Sequence, residues 1–428
     1  MSDLGRVLRL DARRTALLVA VPVLTVLGTA AACLSLSPAV AYWDNSVVAL
    51  VNAVRLLGPA AAGLAAWTAV RERPLDYLRD LTARSPATGV LFDLLLLSSA
   101  ALVSYIVATA VVVAVTLVHP HAGQPQPLGV VSGAGALVLH VVVGYLTGRV
   151  APHRATAALV LAATSLWAAL RIPGMSWWSL LPPAAFPHIQ LFTTLRPAVF
   201  AVQVLWAAGL TTALILAYVM WATRRLLLVL PLAVALAATA SATLGLHRSG
   251  GTVSLVQAEP VCRRWPITVC VHPALRDALP QLMAAATPLA ARLNGTPGAF
   301  TMVEQRPAWM PVTVADGVAG VHLDEGLSPG YASRAVRQIS EALKDPRACA
   351  AGDGYRALVD AWLLGDEPPA VAGTRAGHRF ASWTEQRRRD WLRLHFAGYR
   401  ACTLGPHDFR VPRTAESRRR EAPDPRPA

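Results

Sequence analysis

The stretch VLFDLLLLSSAALVSYIVATAVVVAVTLV, residues 90–118, decides the class of fold. Asp93 is the only acidic or basic residue in it. A transmembrane helix needs about 20 predominantly apolar residues, and this stretch is longer than that. It therefore predicts a helix that crosses a membrane.

Further apolar segments lie on both sides of this one. Together they predict an α-helical polytopic bundle of about seven transmembrane helices within residues 1–248. The predicted spans are 15–36, 47–70, 90–118, 129–148, 156–170, 199–222 and 226–246. Trp167, near the end of the short fifth span, is typical of an interface anchor. The first span starts like a signal peptide, but its long apolar run favours a retained helix.

The charged residues favour a lipid bilayer, and not a nucleic acid, as the partner. The chain has 54% hydrophobic residues, 15% charged residues and a net charge of +14. A strongly basic chain can bind nucleic acid. Here, however, the arginines of the first region concentrate in short loops between apolar segments, as in membrane proteins. We therefore expect no nucleic-acid partner.

The same arginines predict the orientation in the cell membrane. Arginines are frequent before span one and between spans two and three, four and five, and six and seven, whereas the alternate loops carry few. Cytoplasmic loops are enriched in Lys and Arg. The N-terminus is therefore expected in the cytoplasm, and seven crossings place everything after residue 246 outside it.

The second region, residues 249–405, has the pattern of a small extracytoplasmic α+β domain. The spacing of apolar residues predicts helices over 273–293, 328–344, 354–364 and 382–399, and strands over 300–305, 311–315 and 317–323. Ser328 is the expected N-cap of the second helix, and Ser382 with Glu385 forms a capping box for the last. Residues 406–428, rich in Arg and Pro, are predicted to be a disordered tail.

Four of the five cysteines fall in this second region. Disulfides persist outside the cytoplasm, and four cysteines allow three pairings. Proximity favours Cys262–Cys270 and Cys349–Cys402. Free buried thiols are the alternative, and zinc is less favoured because the spacing is not a paired C-x-x-C.

The motifs of common enzymes are absent or misleading. Residues 326–330 match G-x-S-x-G around Ser328, but the next residue is Pro329. An oxyanion hole needs the backbone N–H of that residue, which proline lacks. The sequence also has neither an H-E-x-x-H zinc motif nor a Walker A motif. We expect no catalytic residue, no metal and no cofactor, so the chain is not an enzyme by itself.

Three polar residues inside the spans are candidates for function. They are Arg55 in span two, Asp93 in span three and His140 in span four. Ionisable groups at membrane depth are costly, and a functional role is the default hypothesis for them. The simpler alternatives are that Arg55 snorkels outward, that Asp93 faces cytoplasmic water and that His140 is neutral and packed. Arg55 and Asp93 are expected on opposite sides of the membrane.

The segment 71–89, between spans two and three, is the most suggestive loop. Leu75, Leu78 and Leu81 recur every three residues with charged residues between them. This spacing predicts a short amphipathic helix that contacts the membrane or a partner. An ordinary interfacial connector is the equally weighted alternative.

These residues carry a resemblance to a known family. Gly58-Pro59, residues 60–67 and the loop arginines look like the second span and coupling loop of actinobacterial ABC-2-type permease-like proteins. Gly144, Gly148 and Arg149, which precede the fifth span, also look like this family, and residues 269–273 are similar to the extracytoplasmic tails that some of its members carry. The resemblance covers roughly the first 300 residues.

The resemblance implies a membrane subunit with six core helices that forms a homodimer. It also implies that this subunit belongs to an export system with a separate cytoplasmic ATPase. The partner-coupling residues would be Arg71, Arg73, Leu75, Leu78, Arg79, Leu81 and Arg84. The seventh span and the soluble domain depart from the minimal family pattern. They leave room for a membrane-anchored binding or sensory protein whose outer domain carries the function.

Overall fold

The computed structural model describes residues 17–36, 41–72, 86–118, 121–174, 176–186, 188–256, 258–351 and 354–410. The chain divides into two compact units, residues 1–257 and 258–428. The first, the helical unit, carries the apolar helices. The second, the sheet unit, contains a five-stranded sheet with helices packed against it.

Helices correspond to all of the predicted spans. They are α1 (Leu17–Ser35), α2 (Trp43–Glu72), α3 (Pro86–Val118), α4 (Pro127–Val150), α5 (Thr156–Ala169), α6 (Pro197–Thr223) and α7 (Val229–Arg248). Five of them are long and apolar enough to cross a membrane, namely α2, α3, α4, α6 and α7, the last extended by a 3₁₀ turn at 226–228. The helices at the first and fifth predicted spans are shorter apolar helices, so the prediction of about seven spans is not confirmed.

Helices α2 and α4 pack closely because α4 has glycines along one face. A Cβ atom built on Gly144 would lie 2.1 Å from the carbonyl oxygen of Ala62, and one on Gly148 would lie 2.6 Å from that of Ala66. Small residues let helix backbones approach each other where lipid supplies no hydrophobic driving force. The α2–α4 pair therefore forms the centre of the unit, and α7 is its most exposed span.

Polar side chains fix the loop before α6 to the start of α2. The Asn45 amide makes two hydrogen bonds to the backbone of Ile189, at 2.9 and 3.1 Å. The buried Asp44 carboxylate accepts from the Thr194 hydroxyl at 2.7 Å and from the Leu195 N–H at 3.3 Å. Two short strand pairs lie in this unit, β1 (Ala41–Tyr42) with β2 (His121–Ala122) and β3 (Thr193–Leu195) with β4 (Val253–Leu255).

The sheet unit contains the elements β5 (Val261–Arg263), β6 (Thr268–Val271), α8 (Leu279–Leu293), β7 (Met302–Gln305), β8 (Val314–Ala315), β9 (Val318–Val321), α9 (Tyr331–Ala342), α10 (Arg356–Leu364), α11 (Arg375–Ala381) and α12 (Glu385–Arg400). The strand order is β5-β6-β7-β9-β8. Strands β6, β7 and β9 are parallel, and an antiparallel strand lies at each edge. The parallel pair β6–β7 requires a crossover, which α8 supplies.

The expected helix starts of this unit are wrong in two places. Helix α9 begins at Tyr331 after Gly330, which adopts φ 80°, and Ser328 lies outside it. The N-cap of α12 is Thr384, whose hydroxyl accepts from the Arg387 N–H, and not Ser382. Ser328 and Ser382 each lie three residues before the first residue of the helix, and in sequence each of them resembles an N-cap.

The predicted domain end at residue 405 is also too early. Phe409 is completely buried and stacks on Trp391 at a centroid distance of 4.7 Å. The Trp391 indole N–H donates to the Asp408 carbonyl at 2.8 Å. The folded chain thus includes residues 406–410, and the rest of the predicted disordered tail lies outside the described residues.

Both favoured disulfides are present. Cys262–Cys270 links the antiparallel strands β5 and β6, and Cys349–Cys402 links two segments that are 53 residues apart. Cys33 of α1 is a free, exposed thiol. Disulfides of this kind are typical of an oxidising compartment.

Candidate functional site

A pair of arginines forms the most unusual polar feature of the helical unit. Arg55 belongs to α2 and is half-buried, whereas Arg171 follows α5 and is only 3% exposed. One Arg55 Nη donates to the carbonyls of Ala168 and Arg171 at 2.6 and 3.0 Å. The side chain of Arg55 therefore binds the end of α5. Snorkelling of Arg55 towards the outer membrane surface stays a prediction, because these carbonyls lie on the side predicted to be outside.

Arg171 is held by backbone carbonyls and by an aromatic ring. Its Nε donates to the Trp167 carbonyl at 3.2 Å and one Nη to the Leu181 carbonyl. Its guanidinium lies 4.8 Å from the centroid of the Trp167 ring, a cation–π distance. Burial, and secondly the charge of Arg55, lowers the pKa of Arg171 to about 10, so the side chain is a cation at neutral pH.

The charges of this arginine pair are not compensated. Within the described part of the chain, neither guanidinium contacts a carboxylate, and the sequence has no Asp or Glu between Asp93 and Glu259. Arg55 Nε and Arg171 Nη2 are buried without any hydrogen-bond partner in the structure. Asn52, one turn before Arg55, has an equally unpartnered buried Oδ1 atom. We call Asn52, Arg55 and Arg171 the arginine site.

His140 is packed in a manner that explains its presence without proton transfer. It is 5% exposed, and its Nδ1 lies 2.8 Å from the Ala136 carbonyl oxygen. A Cβ atom on Gly58 would lie 2.9 Å from the imidazole ring. The glycine of α2 thus makes room for the histidine of α4.

Asp93 belongs to a different polar group and does not pair with Arg55. It is 7% exposed and accepts from the Tyr145 hydroxyl at 2.6 Å. The carboxylate is therefore buried against α4, and it does not face cytoplasmic water as the simpler reading expected. The α3–α4 contact gains a strong, charge-assisted hydrogen bond.

Most of the predicted coupling segment lies outside the described residues. The coupling residues that lie outside are Arg73, Leu75, Leu78, Arg79, Leu81 and Arg84. Arg71 is exposed at the end of α2, with its guanidinium 5.2 Å from the centroid of the Trp67 ring. The amphipathic helix and its partner contact stay predictions.

The sheet unit has its own buried arginine, but that charge is neutralised. Arg356 is completely buried and donates to the Asp360 carboxylate at 3.0 Å and to the Tyr399 carbonyl at 2.9 Å. Its other Nη donates to the Ser340 carbonyl and the Tyr399 hydroxyl at 3.0 and 3.1 Å. Tyr399 O–H in turn donates to Asp360 at 2.7 Å. This network ties α9, α10 and α12 together.

Ser328, the serine of the G-x-S-x-G match, lies before α9 and contacts charged side chains. Its hydroxyl donates to Asp324 at 3.3 Å and contacts an Nη of Arg334. The Nε2 atom of His322 lies 2.8 Å from the Met310 carbonyl oxygen. The described ranges also hold no group of three or more His, Cys, Asp or Glu side chains suited to a metal.

Sequence reasoning found Arg55 but missed Arg171, its partner. Arg171 was counted only as a loop residue, because it follows the end of a predicted span. The available signal was the long stretch without acidic residues, because an arginine within it has no acidic residue close in sequence. No protein family, curated protein or solved structure matches the chain.

Proposed function

We propose that the chain is the membrane-spanning, permease-like subunit of an ATP-driven export system of the ABC-2 type. In this proposal α1–α7 all cross the membrane, the N-terminus is cytoplasmic and the sheet unit lies outside. Five long apolar helices, two shorter ones and two disulfides support the arrangement.

The arginine site is the observation that carries a transport role. An anchor needs only apolar helices, whereas uncompensated charge between spans is costly and marks a path or a binding site. The close approach of α2 and α4 at the glycines of α4 also supports a membrane bundle, because small residues are typical of helix contacts in membranes.

ATP would be hydrolysed by a separate cytoplasmic subunit, because the chain has no Walker A motif. The arginine-rich end of α2 and residues 73–84 would contact that ATPase, and two copies of the chain would form the membrane part. This assignment rests on the resemblance of the loop sequence to coupling loops.

The second candidate is a membrane-anchored binding or sensory protein. It is favoured by the sheet unit, which has its own sheet, a buried polar network and two disulfides. In that case the helices serve only as an anchor, and the coupling segment has no ATPase partner.

The two candidates differ in what copurifies with the chain. The tagged protein would be isolated from gently solubilised native membranes, and its partners identified by mass spectrometry. We expect an ATP-binding-cassette protein in a fixed ratio, lost when Arg71, Arg73 and Arg79 are changed to Glu. The matched control changes Arg224 and Arg225, in another loop on the same proposed side, and should keep the partner.

Absence of any ATPase, in a preparation that keeps known transporters intact, would contradict the export proposal. It would favour the sensory alternative. The molecular mass of the same particle shows whether it contains two copies of the chain.

A further inference from the structure

The arginine site lacks a component that would balance its charge. Arg55 donates to the Arg171 carbonyl at 3.0 Å, and each of the two guanidiniums has a buried N–H donor without an acceptor. Withdrawing such a charge from water costs several kcal/mol unless it is paired. An anion that binds between them would accept both hydrogen bonds and remove the repulsion between the two cations.

The unused groups define the chemistry of that anion. The site offers two donors, Arg55 Nε and Arg171 Nη2, and one acceptor, Asn52 Oδ1, one helical turn from Arg55. Guanidinium groups bind phosphate and carboxylate oxygens particularly well. A phosphate has enough oxygens for two guanidiniums that belong to different segments, and a neighbouring hydroxyl would donate to Asn52.

The residues next to the two arginines are apolar and exposed. Leu56 is 59% exposed, and Leu170 and Ile172, on either side of Arg171, are 66% and 56% exposed. A small inorganic ion makes no use of such surroundings, but a ligand with an apolar chain does. These residues adjoin the two arginines in sequence, and in a membrane-spanning unit such apolar, exposed residues favour an amphiphile over a free ion.

From this we infer that the arginine site binds the phosphate group of an amphiphile, with Asn52 accepting a hydrogen bond from a hydroxyl near that phosphate. The inference rests on the proposed membrane-spanning function and names the class of ligand for it. The phosphate can belong to a bilayer phospholipid or to a phosphate-bearing cargo, and free phosphate shares the same chemistry.

The competing view is that the arginines only join α2 to the end of α5 through backbone carbonyls. That view explains the bonds to Ala168 and Arg171 but leaves Arg55 Nε, Arg171 Nη2 and Asn52 Oδ1 unused. It predicts no response to any ligand, so a ligand-dependent measurement separates the two views.

The test uses the full chain in an uncharged detergent. Its thermal unfolding would be followed while short-chain phosphatidylglycerol, phosphatidic acid, inorganic phosphate or oleate is added. We expect a saturable rise of the melting temperature with phosphatidylglycerol, because a ligand that binds the native state stabilises it. Arg55→Gln should need at least about tenfold more lipid to reach half of this rise. Arg55→Lys, which keeps the charge but not the planar fork, should fall between.

Two further variants sharpen the result. Arg196→Gln removes an exposed arginine of the same unit and should respond like the native chain. Asn52→Ala should weaken the binding of phosphatidylglycerol, whose headgroup has alcohol hydroxyls, more than that of phosphatidic acid, whose headgroup has no alcohol hydroxyl. Arg55→Lys and Asn52→Ala keep the test valid if Arg55→Gln fails to fold.

Saturation by phosphatidylglycerol and phosphatidic acid, without an effect of inorganic phosphate, supports a lipid-borne phosphate. An equal effect of inorganic phosphate would overturn the amphiphile and leave only the recognition of phosphate. Equal responses of the native chain and of the Arg55 and Asn52 variants would overturn the assignment, as would oleate acting as well as the phospholipid. The ATPase copurification does not depend on this site, so the two proposals fail separately.

Discussion

The helical unit and the sheet unit each bury an arginine, and they treat its charge in opposite ways. Arg356 has a carboxylate, a hydroxyl and two carbonyls around its guanidinium, whereas Arg171 has two carbonyls, the Trp167 ring and one buried nitrogen without a hydrogen-bond partner. A fold that needs a buried cation for its own stability surrounds it with complete partners. The incomplete shell of Arg171 indicates that its remaining partner comes from outside the chain.

The largest effect in this comparison is expected from Arg356→Met. Removing the cation leaves Asp360 buried without its ion pair and should destabilise the sheet unit by about 3–5 kcal/mol. Hydrogen exchange of the α12 amides in the full chain measures that loss. Exchange at the native rate would show that the network is not needed. Arg337→Gln, which breaks an exposed ion pair with Asp366, is the control and should cost about 1 kcal/mol or less.

A second prediction concerns acid, which should act on the sheet unit through His272. Burial lowers the pKa of His272 from 6.5 to about 4. As the pH falls, His272 of the unfolded chain therefore takes up a proton before His272 of the folded chain. The stabilisation of the folded unit that results from this difference is present above pH 6.5 and is lost between pH 6.5 and about 4. The loss is at most about 3 kcal/mol.

Hydrogen exchange of β6 and α8 as a function of pH measures this effect. In His272→Asn the side-chain oxygen can still accept from the Ala274 N–H, as the imidazole does, but the residue does not titrate. The pH dependence in that window should be smaller in the variant. An unchanged slope would show that other groups cause it.

A smaller effect is expected from Arg171→Met, although Arg171 is almost as buried as Arg356. The variant loses hydrogen bonds to the Trp167 and Leu181 carbonyls but also removes an uncompensated charge. The lost hydrogen bonds destabilise the unit and the removed charge stabilises it, so the net loss of unfolding free energy should be no more than about 2 kcal/mol. The melting temperature of the full chain without added lipid measures it. A loss as large as that of Arg356→Met would end the distinction between the two arginines.

The sequence predicts the elements of this fold better than it predicts its contacts. Apolar length located the seven described α-helices of the first unit, and Gly365, which follows the predicted helix 354–364, adopts φ 74° at the end of α10. Strands β5 and β6 were missed although their lengths are comparable to those of β7, β8 and β9, because Pro266 lies between them and Pro273 follows β6. Short strands form because they pair with neighbouring strands, and the local sequence pattern does not show this pairing.

The candidate site shows the same limit. The position of Arg55 inside an apolar span was enough to select it, because the cost of burying charge is a local property of the sequence. The partner, Arg171, is 116 residues away, and only the fold brings it to Arg55. His140 and Asp93 were selected on the same local grounds, and each is satisfied by its own neighbours.

We propose that the two units occupy different environments, the bilayer for the helical unit and the space outside the cytoplasm for the sheet unit. Protease protection in spheroplasts, with one epitope tag at each end of the chain, tests this arrangement. We predict that external protease removes the C-terminal tag and leaves the N-terminal tag until the membrane is opened. Protection of both tags would place the disulfide-linked unit in the cytoplasm and contradict the account.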